Sequence, residues 1–253
     1  SIGNKIKVPS ADSTWSVEGN NTLEVNKPVI IYWKNNEGIL FKKKFEIDEK
    51  YLFKITQEVN NNSSNQIDLY PYAQITRNKI PDDIQNFYIS HEGFIGVFDD
   101  ELKEDDYDDI EEKKIVREAN KGWFGITDKY WMTALVPNKG ENFKTTFLYK
   151  DAYKANYILN NPTTIKPAST SSNQVRLFIA AKEVETIDSY AANQNIDKLD
   201  LVIDWGWFYF FTKPLFFIID YLFKLSGNFG IAIVLITLGI RLLFFPLANY
   251  SFR

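Results

Sequence analysis

Cysteine is absent from the 253-residue sequence, and histidine occurs only once, as His91. Disulfide bonds, zinc centres built from cysteine or histidine, and cysteine nucleophiles are therefore excluded. We expect no metal ion, no cofactor and no catalytic residue in this chain. The absence of cysteine is compatible with any cellular compartment and identifies none.

Basic residues are outnumbered by acidic ones, and the net charge is −4. The first 200 residues carry −6, whereas the remaining residues carry +2. An acidic domain repels the phosphate backbone, which excludes nucleic acid as a partner. With 20 Phe, 14 Tyr and 6 Trp, we expect aromatic packing to dominate the core.

Short alternating segments fill the first part of the chain. Residues 29–33 and 39–47 flank an Asn/Gly-containing turn, which predicts a hairpin, and Lys43 is the one basic exception to the alternation. Residues 51–59 alternate again, and residues 67–77 are a further strand candidate interrupted by Pro71. This spacing predicts an antiparallel β-sandwich over residues 1–200.

Three segments interrupt this pattern. The acidic run at residues 99–112 contains no glycine for the sharp turn of a calcium loop, so we interpret it as a solvated loop or a turn between strands. Residues 162–172 are rich in Pro, Ser and Thr and predict another loop. The aromatic cluster at residues 121–137 is compatible with stacking on sugar rings, but core packing is the favoured interpretation.

Helical spacing replaces the alternation after residue 181. Val184, Ile187, Ala191 and Leu199 predict an amphipathic helix at the end of the domain. Such a helix could dock on the sheet and orient the domain at a membrane, or it could close an edge of the sandwich. The sequence leaves both arrangements open.

An aromatic segment with a narrow polar stripe follows at residues 205–225. At 100° per residue, Lys213, Asp220 and Lys224 share one face, and Pro214 suits an early helical position. A helix lying in the membrane interface leaves these charges in water, whereas a spanning helix would bury them. The interfacial arrangement is favoured, and the side chains expected to enter the membrane boundary are aromatic: Trp205, Trp207, Phe216, Phe217 and Phe223.

Residues 229–248 form the one long apolar run, equivalent to about 30 Å of helix and hence to the hydrocarbon thickness of a bilayer. Arg241 lies about 18 Å into this run. A central arginine costs about 2.5 to 3.5 kcal/mol on insertion scales, which implies a partner, a polar cavity or water. Alternatively, the segment sits deeper and Arg241 marks the cytoplasmic end of the helix.

Several motifs in this tail resemble the YidC family of bacterial membrane protein insertases. The similarity covers residues 29–253, and its specific parts lie mainly in the tail. They are DLVIDWGW at 200–207, TKPL at 212–215, GNFG at 227–230, IRL at 240–242 and FPL at 245–247, together with KGW at 121–123, YW at 130–131 and ALVP at 134–137.

The resemblance implies a galactose-mutarotase-like β-sandwich in the periplasm, anchored in the bacterial inner membrane. It implies three parts: a periplasmic domain at 1–200, an interfacial helix at 201–227, and a transmembrane helix at 228–253 that begins the insertase core. Arg241 would lie in a polar groove that attracts hydrophilic parts of incoming chains. The implied partners are nascent membrane proteins, subunits of the Sec translocon and the lipid bilayer.

Two further expectations accompany this resemblance. Because the chain starts without methionine, we expect a fragment that lacks an N-terminal signal or membrane anchor. The alternative function is a membrane-tethered carbohydrate-binding or sugar-epimerase-like domain. An epimerase needs an acid and a base on one sugar ring, and His91 beside Glu92 is the available pair. A third function, docking of a translocon subunit at a sheet edge or groove, is compatible with the insertase.

Overall fold

The computed structural model describes residues 6–81, 91–206 and 208–251, the last five of these by their backbone alone. The chain divides into two compact units, Ser1–Ile203 and Asp204–Arg253. The first unit contains all fifteen β-strands of the described chain, and the second contains two long helices.

A nine-stranded antiparallel sheet is the largest element of the first unit, with strand order β1-β2-β3-β4-β15-β11-β10-β7-β8. Its strands are β1 (Ser16–Glu18), β2 (Val29–Lys34), β3 (Ile39–Ile47), β4 (Leu52–Asn61), β7 (Gly93–Phe98), β8 (Glu101–Asp105), β10 (Gly122–Thr127), β11 (Trp131–Val136) and β15 (Ser169–Ala181).

Two smaller sheets complete the β structure. The four-stranded sheet has the order β6-β13-β12-β9, and a two-stranded sheet pairs β14 with β5. Their strands are β5 (Ile67–Leu69), β6 (Tyr72–Arg77), β9 (Ile115–Ala119), β12 (Phe143–Tyr149), β13 (Tyr153–Leu159) and β14 (Thr163–Ile165). Every described strand pair is antiparallel, so the predicted mainly-β, antiparallel class is confirmed.

The main core lies between the nine-stranded and four-stranded sheets and is rich in aromatic rings, as the composition predicts. Phe94 and Phe124 of the large sheet and Phe147 of the small sheet are fully buried in one cluster. The Phe94 and Phe147 ring centroids are 4.9 Å apart, and those of Phe124 and Phe147 are 6.1 Å apart. Aromatic pairs at these distances add about 0.5 to 1.5 kcal/mol each beyond the burial of their area.

The opposite face of the large sheet is covered by helix α2 (Val184–Asn193) and a following 3₁₀ helix (Leu199–Val202). Ile187 and Tyr190 of α2 are buried there, and the Tyr190 ring meets Phe178 edge-on at 5.7 Å. The predicted amphipathic helix therefore covers a sheet face, not an edge. Because strand β7 is buried on both sides, all six of its residues are buried and its sequence does not alternate.

A buried ion pair joins the two main sheets. Arg117 of β9 donates from Nη1 and Nη2 to the two carboxylate oxygens of Asp105 in β8, at 2.7 and 2.8 Å. The guanidinium also lies 5.6 Å from the ring centroids of both Phe98 and Phe147. This bidentate pair gives both carboxylate oxygens of Asp105 a hydrogen-bond donor, although Asp105 is only 7% exposed.

The prediction of a solvated loop or a turn between strands at residues 99–112 holds only for residues 99–100 and is wrong for the rest of the segment. The segment forms strand β8 and then helix α1 (Tyr107–Glu112), with a turn at Asp99 and Asp100. Tyr107 and Ile110 are buried in the main core, although acidic residues surround them in the sequence. The many charged residues obscured the helical spacing of Tyr107 and Ile110, which are three residues apart.

Two other predictions about strands need correction. Residues 67–77 form two strands that enter different sheets, β5 and β6, because the chain changes direction at Tyr70 and Pro71. Residues 162–172 are mostly strand: β14 pairs with β5, and β15 begins at Ser169. In contrast, the hairpin predicted from residues 29–47 is confirmed as β2 and β3.

The aromatic cluster at residues 121–137 is mainly core, as favoured. Trp123 and Phe124 are fully buried, whereas Trp131 is 60% exposed at the start of β11. Gly122 has φ +132°, and a Cβ built there would lie 1.8 Å from the Val97 carbonyl oxygen. Close backbone approach therefore requires glycine at this position.

Replacement of Arg117 by alanine should destabilise the protein by about 3 kcal/mol, because the buried Asp105 carboxylate loses its charged partner. Urea unfolding followed by near-UV circular dichroism measures the change. Lys103→Ala is a suitable control because it removes an exposed ion pair with Glu101, and we expect a change within about 0.5 kcal/mol. Equal effects of the two variants would contradict a stabilising role for the buried pair.

Candidate functional site

Helix α3 (Tyr209–Ser226) lies within residues 201–227, where the sequence predicts an amphipathic helix. Pro214 was expected early in the helix, and five residues of the helix precede it. The first turn has the regular bond from the Thr212 amide to the Phe208 carbonyl at 2.9 Å, and the Thr212 hydroxyl adds a bond to the Trp205 carbonyl at 2.7 Å. Pro214, which has no N–H to donate, comes after this turn.

A small aromatic cluster joins the segment before α3 to the helix itself. The Trp205 ring meets Phe216 edge-on, with centroids 5.4 Å apart. Lys213 Nζ lies 5.8 Å from the Trp205 ring centroid, within the range of a cation–π contact. The structure thus brings together Trp205, Lys213 and Phe216, all predicted interface residues. Trp207, also predicted there, lies outside the described residues.

The polar stripe of α3 contains an ion pair between Asp220 and Lys224, with 2.8 Å between Oδ2 and Nζ. None of the α3 side chains, all of which are described, is buried. Phe216, Phe217 and Phe223 are 38%, 40% and 40% exposed. A contiguous aromatic surface of this kind is unfavourable in water and favourable against acyl chains.

A two-residue break, Gly227 and Asn228, separates α3 from helix α4 (Phe229–Ser251). Gly227 has φ +66° and donates its amide to the Phe223 carbonyl at 2.8 Å, which closes the end of α3. Asn228 Oδ1 then accepts from the amides of Gly230 at 2.9 Å and Ile231 at 3.3 Å, which begins α4. The break predicted from the sequence at these residues is confirmed.

Helix α4 has 23 residues and is therefore about 34 Å long. Its segment Phe229–Pro246 is, among the described residues, the one long and apolar enough to cross a membrane by length and composition. Helix α3, with its three charged side chains, does not meet the same criterion. The helix continues through Pro246, three residues beyond the predicted end at 248.

Arg241 lies on the exposed face of α4. Ala232 is fully buried and Ile236 and Ile240 are half-buried, whereas Arg241 is about 180° around the helix from Ala232. Residues 229–253 contain no Asp or Glu, and no acidic side chain of the described chain forms an ion pair with Arg241. The charge therefore points away from the packed face of its own helix.

His91 is held as a structural residue in the loop before β7. Its Nε2 lies 2.9 Å from the Phe94 carbonyl oxygen, and its Nδ1 lies 3.5 Å from an Asp106 carboxylate oxygen. The side chain is only 14% exposed. Both ring nitrogens thus face partners within the chain, which leaves the imidazole poorly placed as an acid or base for a sugar ring.

Sequence reasoning missed two residues that shape this region. Asn228 was interpreted only as part of a helix break, although a short polar side chain directly before an apolar helix is a cap signal. Thr212 was treated only as the residue before Pro214. Its hydroxyl bond to Trp205 depends on a chain reversal that no local pattern indicates.

Together these features define a class of protein: an antiparallel β-sandwich followed by an amphipathic aromatic helix and one helix of membrane-spanning length. Within that class, the chain belongs to the YidC periplasmic domain family, whose model matches residues 1–218. The match ends inside α3, so it includes Trp205 and the first part of the polar stripe but not Arg241.

Relatives of the chain are named membrane protein insertase YidC. One from Pelagibacter ubique is 49% identical over 253 residues, covering 100% of this chain and 45% of the relative. One from Brucella melitensis biotype 1 is 39% identical over 252 residues, covering 97% of this chain and 41% of the relative. The chain thus spans less than half the length of these relatives.

Solved structures include more distant similarities. A galactose mutarotase related enzyme from Lactobacillus acidophilus is 12% identical, with a TM-score of 0.47 over 66% of this chain and 71% of that chain. The crystal structure of an active YidC insertase is 14% identical, with a TM-score of 0.30 over 94% of this chain and 47% of that chain. Likeness at these identities concerns the fold alone.

Asn228→Ala should weaken the start of α4 by about 1 kcal/mol, because the amides of Gly230 and Ile231 lose their side-chain acceptor. We expect hydrogen exchange at these two amides to become about fivefold faster. Asn228→Asp keeps the acceptor and should leave exchange nearly unchanged. If both variants exchange like the parent protein, the Asn228 side chain does not cap the helix in solution.

Proposed function

We propose that this chain is the periplasmic and first membrane-embedded part of a membrane protein insertase that helps proteins enter, fold and assemble in the bacterial inner membrane. The observation that carries the proposal is Arg241, a charge on the outward face of a helix that is otherwise apolar. Membership of the YidC periplasmic domain family and the names of the relatives support it.

An unpaired arginine in a spanning helix is stable only where water or a partner reaches it. The cost at a helix centre, about 2.5 to 3.5 kcal/mol, favours a hydrated groove beside α4 over contact with lipid. In such a groove the charge attracts acidic or polar segments of an incoming chain. It thereby lowers the free-energy barrier to moving a short polar segment across the bilayer.

The three-part organisation predicted from the sequence suits this function. Residues 1–200 would form the periplasmic domain, residues 201–227 an interfacial helix, and residues 228–253 the transmembrane helix that begins the core. The exposed aromatic side chains of α3 and its Asp220–Lys224 pair support an interfacial position, because charges and rings can then face different media. The side chains that we assign to the membrane boundary are Trp205, Trp207, Phe216, Phe217 and Phe223, with Lys213, Asp220 and Lys224 facing water.

This function implies particular partners and excludes others. The substrates would be nascent membrane proteins, and α4 would be surrounded by the lipid bilayer. The protein would work either alone or together with the Sec translocon. The chain would act by binding and by lowering a transfer barrier, so we assign it no enzymatic activity. The acidic charge of the first 200 residues argues against nucleic acid as a partner.

The carbohydrate alternative is not favoured. Its acid–base pair would need His91, and both ring nitrogens of His91 face groups of the chain itself. Of the aromatic cluster at residues 121–137, Trp123 is buried in the core, whereas Tyr130 and Trp131 are exposed. Within the described part of the chain, the one histidine is therefore not free to act beside these rings.

The orientation of α3 is testable because the chain has no cysteine of its own. Single cysteines at Lys213 and Lys224 should react with a membrane-impermeant maleimide at least about tenfold faster than cysteines at Phe216 and Phe223. The reason is that an interfacial helix keeps its polar stripe in water and its rings in the acyl boundary. The measurement uses the full-length protein in lipid vesicles.

Two reference positions calibrate these rates. Tyr51 is 59% exposed in the β unit and provides the fully accessible rate, whereas Leu238 in α4 provides the protected rate. Equal protection of all four α3 positions would favour the spanning alternative. Equal reactivity of all four would mean that α3 does not enter the membrane boundary at all.

Arg241→Ala in the full-length protein should reduce insertion of a small substrate protein at least about tenfold, because the groove loses its positive charge. Protease protection of the substrate in inverted membrane vesicles measures insertion. Arg241→Lys keeps a charge at nearly the same depth and should retain much of the activity. Lys224→Ala removes a charge from α3 and should have little effect.

Unchanged insertion by Arg241→Ala, at normal protein levels, would show that Arg241 is dispensable. Loss of insertion in Arg241→Lys as well would assign the requirement to the guanidinium geometry rather than to the charge. The insertase assignment itself is tested separately by depleting the whole protein and following the same substrate.

A further inference from the structure

A cleft in the β unit is lined by residues of that unit alone. Its volume is about 380 Å³, within the range of small-molecule sites. The floor is formed by β3, β4 and β15, and the walls by the N-terminal segment, the corner between β5 and β6, and β14. Four lining side chains are aromatic: Trp15, Phe41, Tyr70 and Tyr72.

The floor of this cleft carries a polar row on an otherwise apolar face. Strand register places Lys43 opposite Gln57, and Gln57 opposite Asn173, so the three side chains point to the same side of the sheet. The neighbouring row on the same face is apolar: Phe45, Ile55 and Val175. The basic exception in the alternation of β3 is therefore one member of a three-strand polar row.

Lys43 is the charged member of this row and has no anionic partner among the described residues. Its Nζ lies 5.0 Å from the centroid of the Trp15 ring. In the described parts of the chain it forms no ion pair and no side-chain hydrogen bond, and burial lowers its pKa. A cation–π contact contributes about 0.5 to 2 kcal/mol, which only partly offsets the desolvation of an ammonium group.

The other end of the row offers a hydrogen-bond acceptor. Asn173 Nδ2 donates weakly to the Glu141 carboxylate at 3.3 and 3.4 Å, while Asn173 Oδ1 is buried and has no hydrogen-bond partner among the described residues. Between them, Gln57 Nε2 donates to the Tyr72 carbonyl at 3.2 Å. An unsatisfied acceptor beside a carboxylate favours a ligand that donates a hydrogen bond there.

We infer that this cleft binds an organic carboxylate with an apolar body and a hydrogen-bond donor, the carboxylate pairing with Lys43 and the donor pointing toward Asn173. The aromatic walls suit the apolar body. The positions of the charges set the orientation of the ligand, because Lys43 in the floor attracts an anion and Glu141, which contacts Asn173 at the other end of the row, repels one. This site is independent of Arg241 and of insertion.

The test uses the full chain in lipid nanodiscs with its tryptophans replaced by 5-fluorotryptophan. The probe is N-acetyl-L-phenylalanine, and the uncharged comparison is N-acetyl-L-phenylalaninamide. The fluorine signal of Trp15, assigned with Trp15→Phe, reports on the cleft. The signal of Trp205 reports on partition of either probe into the membrane boundary.

We expect the acid to shift the Trp15 signal saturably and the amide to bind at least about tenfold more weakly, because a charge-assisted hydrogen bond is lost. Lys43→Met should abolish this difference between the probes. Lys44→Met is the matched control: the next residue of β3 faces the other side of the sheet, where Lys44 pairs with Glu46 at 2.9 Å.

Three outcomes would overturn the inference. One is an unchanged Trp15 signal with both probes, another is equal affinity for acid and amide, and the third is full retention of the acid's advantage in Lys43→Met. If Lys43→Met fails to fold, as judged by the signals of the other tryptophans, Lys43→Gln provides the same comparison with a polar side chain.

Discussion

The central strands of the nine-stranded sheet are apolar on both faces, and the rest of the β unit is arranged to keep both faces from water. The four-stranded sheet covers one face, where Phe94, Phe124 and Phe147 pack together. Helix α2 covers the other, over Phe178. This double cover explains why strand β7 has no alternation, and why the amphipathic helix at the end of the domain lies on a face and not along an edge.

Beyond the four-stranded sheet, the face of the nine-stranded sheet is only partly covered, and some of its side chains there are polar. Strands β3, β4 and β15 extend past the main core, and the short sheet of β5 and β14 forms only a partial wall. Polar side chains then occupy the face that is apolar elsewhere. Because this part of the sheet face is only partly covered, it forms a cleft. Lys43 of β3 therefore lines the cleft that we propose as a binding site.

In the second unit, apolar side chains must also be kept from water, and here lipid would surround them. Its helices leave their apolar side chains uncovered, which is stable only when lipid replaces water around them. Against that background the charged residues divide into two kinds. Asp220 and Lys224 neutralise each other on one stripe of α3, whereas Arg241 has no such neighbour in α4. The proposed function depends on this difference, because a charge without a partner in its own helix must be stabilised by water or by a polar group outside the helix.

The sequence by itself determined several features that depend on near neighbours: the hairpin of β2 and β3, the amphipathic helix α2, the break at Gly227 and Asn228, and the depth of Arg241 in an apolar run. Tertiary structure alone decided how short segments pair. It split residues 67–77 between two sheets, made strands of β8 and β14 from segments that looked like loops, and set Lys43 beside Gln57 and Asn173. The physical reason is range. Helix and turn signals are carried by residues three or four apart. Strand register can depend on partners more than a hundred residues away, as with Asn61 of β4 and Ser169 of β15.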